Sequence, residues 1–175
     1  MIDFSLKDTR LDEWSVRKKQ IDKKIAPNHN NDGTVKFRIQ PWSIWWFDIG
    51  ENIGTETGCH FTQSDISYLR PCIIISTNNF NNGSSHKKTI IMPLTSVKED
   101  TKVKHFHYKL DCNNYEEFYD KKKRIKYIGL DKDSLVICND IKTIDTKRLY
   151  KLIYPELKSE DIENIKDFIK KYFGV

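Results

Sequence analysis

The sequence has 175 residues, a hydrophobic fraction of 38% and a net charge of +5. This length suits one domain with an appendage, and no apolar run approaches the ~20 residues that a membrane helix needs. The four cysteines form no CxxC pair, and the opening MIDFSLKDTR is charged from its third residue, unlike a secretory signal. We therefore expect a cytoplasmic protein with reduced thiols, whose modest positive charge is compatible with a polyanionic partner.

The first 40 residues are predicted to form an extension. Apolar residues at helical spacing predict a helix from Asp8, its N-cap, to Ile25. The stripe comprises Leu11, Trp14, Ile21 and Ile25. The opposite face is basic, which is typical of a solvated surface, and APNHNNDGT at 26–34 predicts a linker. We therefore expect an N-terminal helical extension and linker at 1–40 and a compact domain at 41–175.

Short strand patterns dominate the predicted domain. They lie at 43–48, 72–76, 89–94, 105–110 and 134–138. Short strands in succession, with few helices between them, predict a mostly antiparallel sheet or a small barrel. Two helices are predicted to close the chain, a short one at 145–150 and a longer one at 159–173. The longer helix has an acidic first turn and a basic last turn, as the helix dipole favours.

Two predicted strand ends carry side chains suited to a phosphate. Pro71 biases Arg70 toward an extended geometry at the mouth of the run CIIIS, and a guanidinium fork fits a phosphate. A surface ion pair between Arg70 and either Glu56 or Asp65 would explain the same pattern. The run MPLTS ends in Thr95 and Ser96, whose hydroxyls can donate to an anion or cap the following turn.

The sequence contains no signature of a metal or cofactor site. It has no P-loop, no dinucleotide fingerprint and no HExxH motif, and His105 and His107 share a predicted strand face without a third ligand. We therefore expect chemistry without a metal or cofactor. His60 is the histidine in the loop that leads to Arg70, which makes it a candidate for proton transfer near neutral pH. An ordinary loop residue is the simpler explanation of His60.

An ordered set of motifs resembles the MazF/PemK toxins of type II toxin–antitoxin modules. In chain order the motifs are DIGENIGTE, RPCIIIS, IIMPLTS, HYKLD and DSLVICNDIKTIDTKRL. The last motif is the most specific, and the set covers most of the chain from Pro41. The resemblance implies a fold that is mostly β with α: an SH3-like, strongly curved antiparallel sheet or small barrel with a C-terminal helix. The extra N-terminal helix is added to that fold here.

The resemblance also implies an activity, sequence-selective cleavage of single-stranded RNA without a metal. It implies that Arg70 and Thr95 act on the scissile phosphate and that Glu56 and Ser96 lie near them; His60 is added as a substrate contact from its place in the loop. RNA supplies its own nucleophile, the 2′-OH, and its attack gives a 2′,3′-cyclic phosphate. The expected partners are single-stranded mRNA, a cognate antitoxin protein and a second copy of the chain.

The sequence departs from the family pattern in three places. The loop between Glu56 and Arg70 is longer, an insertion at 113–127 contains the basic run KKKR, and residues 1–40 are extra. The insertion is interpreted either as a surface that steers RNA or as a solvated charged loop. A CcdB-like poison that binds gyrase, or a catalytically silent nucleic-acid-binding module, would use the same fold. The retained Arg70-Pro and Thr95 favour the nuclease.

Overall fold

A computed structural model describes residues 4–31, 36–52, 57, 60–62, 65–76 and 87–174, with backbone alone at 4–7, 60–62 and 65–67. Two α-helices lie at the ends of the chain, α1 at Phe4–Asp22 and α2 at Ser159–Phe173. The strands are β1 Ile44–Asp48, β2 His60–Thr62, β3 Asp65–Ser67, β4 Leu69–Ile74, β5 Lys88–Ser96, β6 His107–Leu110, β7 Phe118–Asp120, β8 Ile125–Tyr127, β9 Ser134–Ile137, β10 Lys142–Asp145 and β11 Leu149–Tyr154.

The main sheet has seven strands and is antiparallel throughout. Its strand order is β11, β1, β4, β5, β9 and β6, and β10 pairs with β5. Separate two-stranded sheets join β2 to β3 and β7 to β8. Among the described residues no ladder joins β11 to β6, so the sheet curls without closing. The predicted fold, mostly β with a C-terminal helix and an extra N-terminal helix, is confirmed.

Both faces of the central strands are buried. In β1, Ile44 belongs to one hydrophobic cluster while Trp45 and Phe47 belong to another, because successive side chains of a strand point to opposite faces. The first cluster packs against α2 through the fully buried Ile165. The second cluster includes Ile39, from the segment before β1. Burial on both faces explains the continuous apolar runs in β4 and β5.

A polar network attaches the first turn of α2 to the sheet. Asp161 is only 8% exposed and accepts hydrogen bonds from the hydroxyls of Tyr108, at 2.6 Å, and of Tyr115. The backbone N–H of Lys158 donates to the Tyr115 oxygen at 3.1 Å. Burial, followed by the hydrogen bond to Asp161, raises the pKa of Tyr108 to about 12, because both disfavour the phenolate.

Two elements near the middle and end of the chain differ from their predictions. The predicted helix at 145–150 is wrong, because a single 3-10 turn at Thr146–Arg148 leads directly into β11. The strand predicted at 105–110 begins two residues later, at His107.

The N-terminal helix also differs from its predicted form. It begins at Phe4 and ends at Asp22, several residues before the predicted bounds. Within the predicted apolar stripe, Trp14 and Ile21 are buried, whereas Leu11 and Ile25 are exposed. The helix therefore contacts the domain through a narrower strip than the periodicity indicates. No helix in the described ranges is long and apolar enough to cross a membrane.

Candidate active-site cleft

A cleft opens where β4 and β5 separate. The two strands pair from Cys72 to Ile74, where Cys72 lies opposite Pro93. Before Cys72, β4 pairs with β1, and after Pro93, β5 pairs with β9. Pro93 has no N–H to give to a ladder, which fits the end of the pairing at this residue. The result is a wedge between the first residues of β4 and the last residues of β5.

The cleft contains about 390 Å³ and brings together three of the predicted site residues. Arg70 comes from the start of β4, and Thr95 and Ser96 come from the end of β5. The remaining lining residues are Trp46, Leu69, Pro71, Leu94, Lys98 and Thr101. If the β4–β5 register continued past Pro93, Arg70 would stand opposite Thr95. Where the strands have separated, the two side chains line the same cleft.

The turn after β5 contributes Lys98, which sequence reasoning missed. The Lys98 N–H donates to Thr101 Oγ1 at 2.7 Å, and the Thr101 N–H donates to the Lys98 carbonyl at 3.0 Å. The preceding Val97 N–H donates to the Asp133 carbonyl at 2.8 Å, which fixes the start of the turn. These bonds return the chain toward the cleft, so that Lys98 and Thr101 both line it. The sequence indicates this turn only weakly, through a lysine followed three residues later by a threonine.

The electrostatic character of the cleft favours an anion. Arg70 and Lys98 supply positive charge, and Thr95, Ser96 and Thr101 supply hydroxyl groups. None of the described lining residues is acidic. A guanidinium, an ammonium and hydroxyl donors around one cleft are groups that bind phosphate oxygens.

Two other predicted site residues fall where their side chains are not described. Glu56 lies outside the described residues. His60 begins β2, which pairs with β3 in the order His60 opposite Ser67, but only the backbone is described there. The roles of Glu56 and His60 therefore stay predictions, and so does the alternative in which Arg70 pairs with an acidic loop residue.

His107 lines a different cleft from Arg70. It contributes to a space of about 340 Å³ together with Thr57, Lys104 and Phe106. Its Nδ1 accepts a hydrogen bond from the Lys104 N–H at 3.2 Å. Burial, followed by the charges of Lys104 and His105, lowers the pKa of His107, because each of them disfavours the imidazolium.

One group in the described chain has the spacing of metal ligands. Ligand atoms of Asp111, Cys112 and Asp133 lie within 4.8 Å of one another. The Lys109 ammonium lies 2.6 Å from Asp133 Oδ2, and this contact lowers the pKa of Asp133 to about 2. Since a lysine already neutralises the carboxylate, the group is satisfied as an ion pair. We assign no metal to it.

The insertion at 113–127 folds as a β-hairpin. Strands β7 and β8 pair in register, and Asp120 accepts hydrogen bonds from the backbone N–H groups of Lys122 and Lys123 at the tip. The four basic side chains of the tip, Lys121 to Arg124, are exposed. They present positive charge to solvent, and both interpretations of the insertion stay open.

The structure is a small β-sheet domain whose curled sheet carries a cleft with two cationic side chains and no acidic residue in its described lining. The family model of PemK-like, MazF-like toxins of type II toxin–antitoxin systems matches residues 40–173. The chain belongs to this family, and the resemblance drawn from its motifs is confirmed. No curated protein matches the chain.

Several solved structures are similar to the chain. A MazE–MazF complex from Deinococcus radiodurans is 11% identical, with a TM-score of 0.49 over 79% of this chain and 98% of that chain. The Mycobacterium tuberculosis toxin MazF-mt6 is 17% identical, with a TM-score of 0.45 over 68% and 98%. A mycobacterial endoribonuclease in complex with its cognate antitoxin is 12% identical, with a TM-score of 0.44 over 78% and 95%. Scores this low add nothing to the family match, on which the assignment rests.

Proposed function

We propose that the protein is a toxin endoribonuclease that cleaves single-stranded RNA sequence-selectively and without a metal ion. The observation that carries the proposal is the cleft between β4 and β5, where Arg70, Lys98 and Thr95 meet with no acidic residue in the described lining. Membership of the toxin family supports the same activity.

The chemistry needs charge stabilisation more than it needs a protein nucleophile. The 2′-OH of one ribose gives up its proton and its oxygen bonds to the adjacent phosphorus, while the bond from that phosphorus to the 5′-oxygen of the next nucleotide breaks and this oxygen takes up a proton. The products are a 2′,3′-cyclic phosphate and a free 5′-OH. Arg70 neutralises the charge that grows on the phosphoryl oxygens, and Thr95 donates a hydrogen bond to them. A positioned donor of this kind contributes about 10²–10³ in rate.

The surrounding residues place the strand. Lys98 is exposed at the mouth of the cleft and meets a neighbouring phosphate, and Ser96 contacts the substrate beside Thr95. In this proposal Glu56 also contacts the substrate. His60 is proposed as a substrate contact and as a candidate for the proton transfer. If it transfers the proton, His60→Gln should lose the limb of the pH–rate profile near pH 6–7.

A direct experiment separates this function from the other uses of the fold. Purified protein is incubated with a long RNA in EDTA, and the fragment ends are tested for a 2′,3′-cyclic phosphate and a 5′-OH. Discrete fragments with these ends, lost in Arg70→Ala and kept in the exposed-site control Lys151→Ala, support the proposal. Intact RNA with inhibition of gyrase indicates a CcdB-like poison. Intact RNA with slowed migration indicates a catalytically silent binding module.

A homodimer is part of the proposal, with the RNA groove at or near the interface. Family membership supports it, since homo-oligomers with two-fold symmetry are common. The aromatic run in β1 does not support it, because Trp45 and Phe47 are buried inside the protomer. Sedimentation over a range of concentrations tests the point, and a monomer at every concentration would contradict it.

We also propose a cognate antitoxin as partner. The family is defined by toxin–antitoxin systems, and an acidic segment that is disordered before binding would complement the cationic cleft. Co-expression with the gene product encoded beside it should remove toxicity and block RNA cleavage. Harmless expression of the active protein alone would count against an antitoxin.

A further inference from the structure

The N-terminal helix contacts Tyr68, which precedes β4 and lies two residues before Arg70. The ring of Trp14 lies against the ring of Tyr68, with centroids 5.4 Å apart and planes inclined by 31°. The Tyr68 hydroxyl lies 3.2 Å from Glu13 Oε2 and 3.4 Å from the Arg10 carbonyl oxygen. Three residues within little more than one turn of α1 thus contact Tyr68, the residue that leads into Leu69 and Arg70.

The same helix also holds the end of β1. Arg17 donates from Nε and from a terminal nitrogen to Asp48 Oδ1, at 3.0 and 2.8 Å, and the Asp48 side chain is fully buried. Lys24 lies 3.8 Å from the other carboxylate oxygen of Asp48. Three residues after Asp48, Glu51 pairs with Arg10 at 3.4 Å. The helix therefore contacts the end of β1 and the residue that precedes β4.

The ring of Trp14 packs between Gly50 and Arg148. Gly50 has a φ of +82°, and a Cβ at this position would lie 2.3 Å from the Trp14 ring. On another side, the Arg148 guanidinium lies 5.4 Å from the centre of the Trp14 ring. Arg148 also donates to the carbonyl oxygens of Asp48 at 2.7 Å and of Ile49 at 2.5 Å. Trp14 thus locks α1, the end of β1 and the turn before β11 together.

The contacts lie beside the pair of sheet residues that includes Arg70. Phe47 lies opposite Arg70, and Asp48 lies opposite Leu69. Here β4 has already separated from β5, so its ladder in the described residues is with β1 alone. A strand supported on one edge is easily displaced, and a displacement of about 1 Å can cost ~10²-fold in rate. The contacts with α1 therefore stabilise the start of β4 where its pairing with β5 has ended.

We propose that Trp14 is a positioning residue for Arg70, and that α1 braces the start of β4 against the end of β1. This inference rests on the proposed function and deepens it. The brace lies outside residues 40–173, the part of the chain that matches the toxin family. It gives the N-terminal extension a role in cleavage without any contact with RNA.

The test uses three full-length variants. Trp14→Ala removes the ring, Trp14→Phe keeps an aromatic contact with Tyr68, and Val16→Ala alters a side chain that is 56% exposed on the same helix. For each, kcat, KM, RNA affinity, the melting temperature and amide hydrogen exchange at Leu69 and Arg70 are measured well below the unfolding transition.

The brace predicts a specific pattern. Trp14→Ala should lower kcat about 10-fold or more with little change in KM or RNA affinity, because a misplaced Arg70 loses transition-state contacts rather than substrate binding. The Leu69 and Arg70 amides should exchange faster while those of α2 do not. Trp14→Phe should recover most of the rate, and Val16→Ala should match the wild type.

Other results would overturn the proposal. A folded Trp14→Ala protein with wild-type kcat would exclude the positioning role. A fall in kcat that Val16→Ala shows equally, or that Trp14→Phe does not reverse, would exclude it as well. If the wild-type protein leaves RNA intact, the proposed function fails, and the exchange comparison alone decides about the brace. Unchanged exchange at Leu69 and Arg70 in Trp14→Ala would then reject it.

Discussion

Arg17 and Asp48 form an ion pair in which two guanidinium nitrogens reach one oxygen of a fully buried carboxylate. Among the ion pairs of the described residues, removal of Arg17 leaves that carboxylate with the longer contact to Lys24, at 3.8 Å. Breaking a buried pair typically costs 3–5 kcal/mol, and the partial exposure of Arg17 reduces this, so Arg17→Met should lower the free energy of unfolding by about 2 kcal/mol. Urea denaturation measures the change.

A double-variant cycle provides the control for this pair. Asp48→Asn removes the charge that Arg17 neutralises, so Arg17→Met combined with Asp48→Asn should be more stable than Arg17→Met alone. Lys19→Met, at an exposed position of the same helix, should change stability by no more than about 0.5 kcal/mol. Equal losses in Arg17→Met and Lys19→Met would show that the ion pair does not stabilise the fold.

The Tyr108–Asp161 contact predicts a loss of stability at alkaline pH. The pKa of Tyr108 rises from 10.0 to about 12 in the folded protein. The folded state therefore keeps a proton that the unfolded state has lost, and stability must fall as pH rises through this interval. Below pH 10 the contribution is fully present. The absorbance of tyrosinate is followed against pH in the wild type and in Tyr108→Phe. The wild type should show a transition near pH 12 that is absent from Tyr108→Phe. A transition removed near pH 10 instead would contradict the contact.

The presence of Arg70 and Thr95 in one cleft was predictable from the order of the sequence motifs. Arg70 and Thr95 lie at the ends of successive strands, and antiparallel pairing of such strands brings their ends together. Lys98 could not be found in this way. Its place in the cleft depends on the turn closed by Thr101, which a sequence of polar residues does not specify.

The two errors in the fold have different physical causes. Strand β11 pairs with β1 with two register shifts, so Tyr150 and Lys151 are both exposed and the alternation of a strand is lost. The predicted stripe of α1 failed because the helix is held by Trp14 and by the pair of Arg17 with Asp48, which joins residues 31 positions apart. Periodicity cannot report a contact at such separation.

Arg70→Ala should abolish most RNA cleavage while the fold persists. Loss of a donor aimed at the phosphoryl oxygens costs about 10²-fold or more. Arg70→Lys keeps the charge but loses the planar fork, so it should retain intermediate activity. Cleavage rates at saturating RNA, with circular dichroism as the check on folding, measure the effect. A folded Arg70→Ala protein with wild-type cleavage would remove Arg70 from the site.

Thr95 offers a test of the hydroxyl alone. Thr95→Val keeps the shape of a side chain that is only partly exposed at the end of β5, and it removes the donor. Cleavage should fall by about 10²-fold, whereas Thr95→Ser keeps the hydroxyl and should stay within a few-fold of wild type. Equal rates in the two variants would show that the threonine matters for packing rather than for the phosphate.

Lys98 should affect RNA binding more than chemistry. Lys98 lines the cleft and is exposed, so in the proposed function its ammonium binds the RNA backbone rather than the reacting phosphate. Lys98→Ala should raise KM with little change in kcat, and the slope of log affinity against log salt should decrease by about 0.7, the value for one contact with a single strand. Lys151→Ala, exposed on β11 and outside the cleft lining, is the matched control. A Lys98→Ala protein with an unchanged salt slope and a lower kcat would instead place Lys98 at the scissile phosphate.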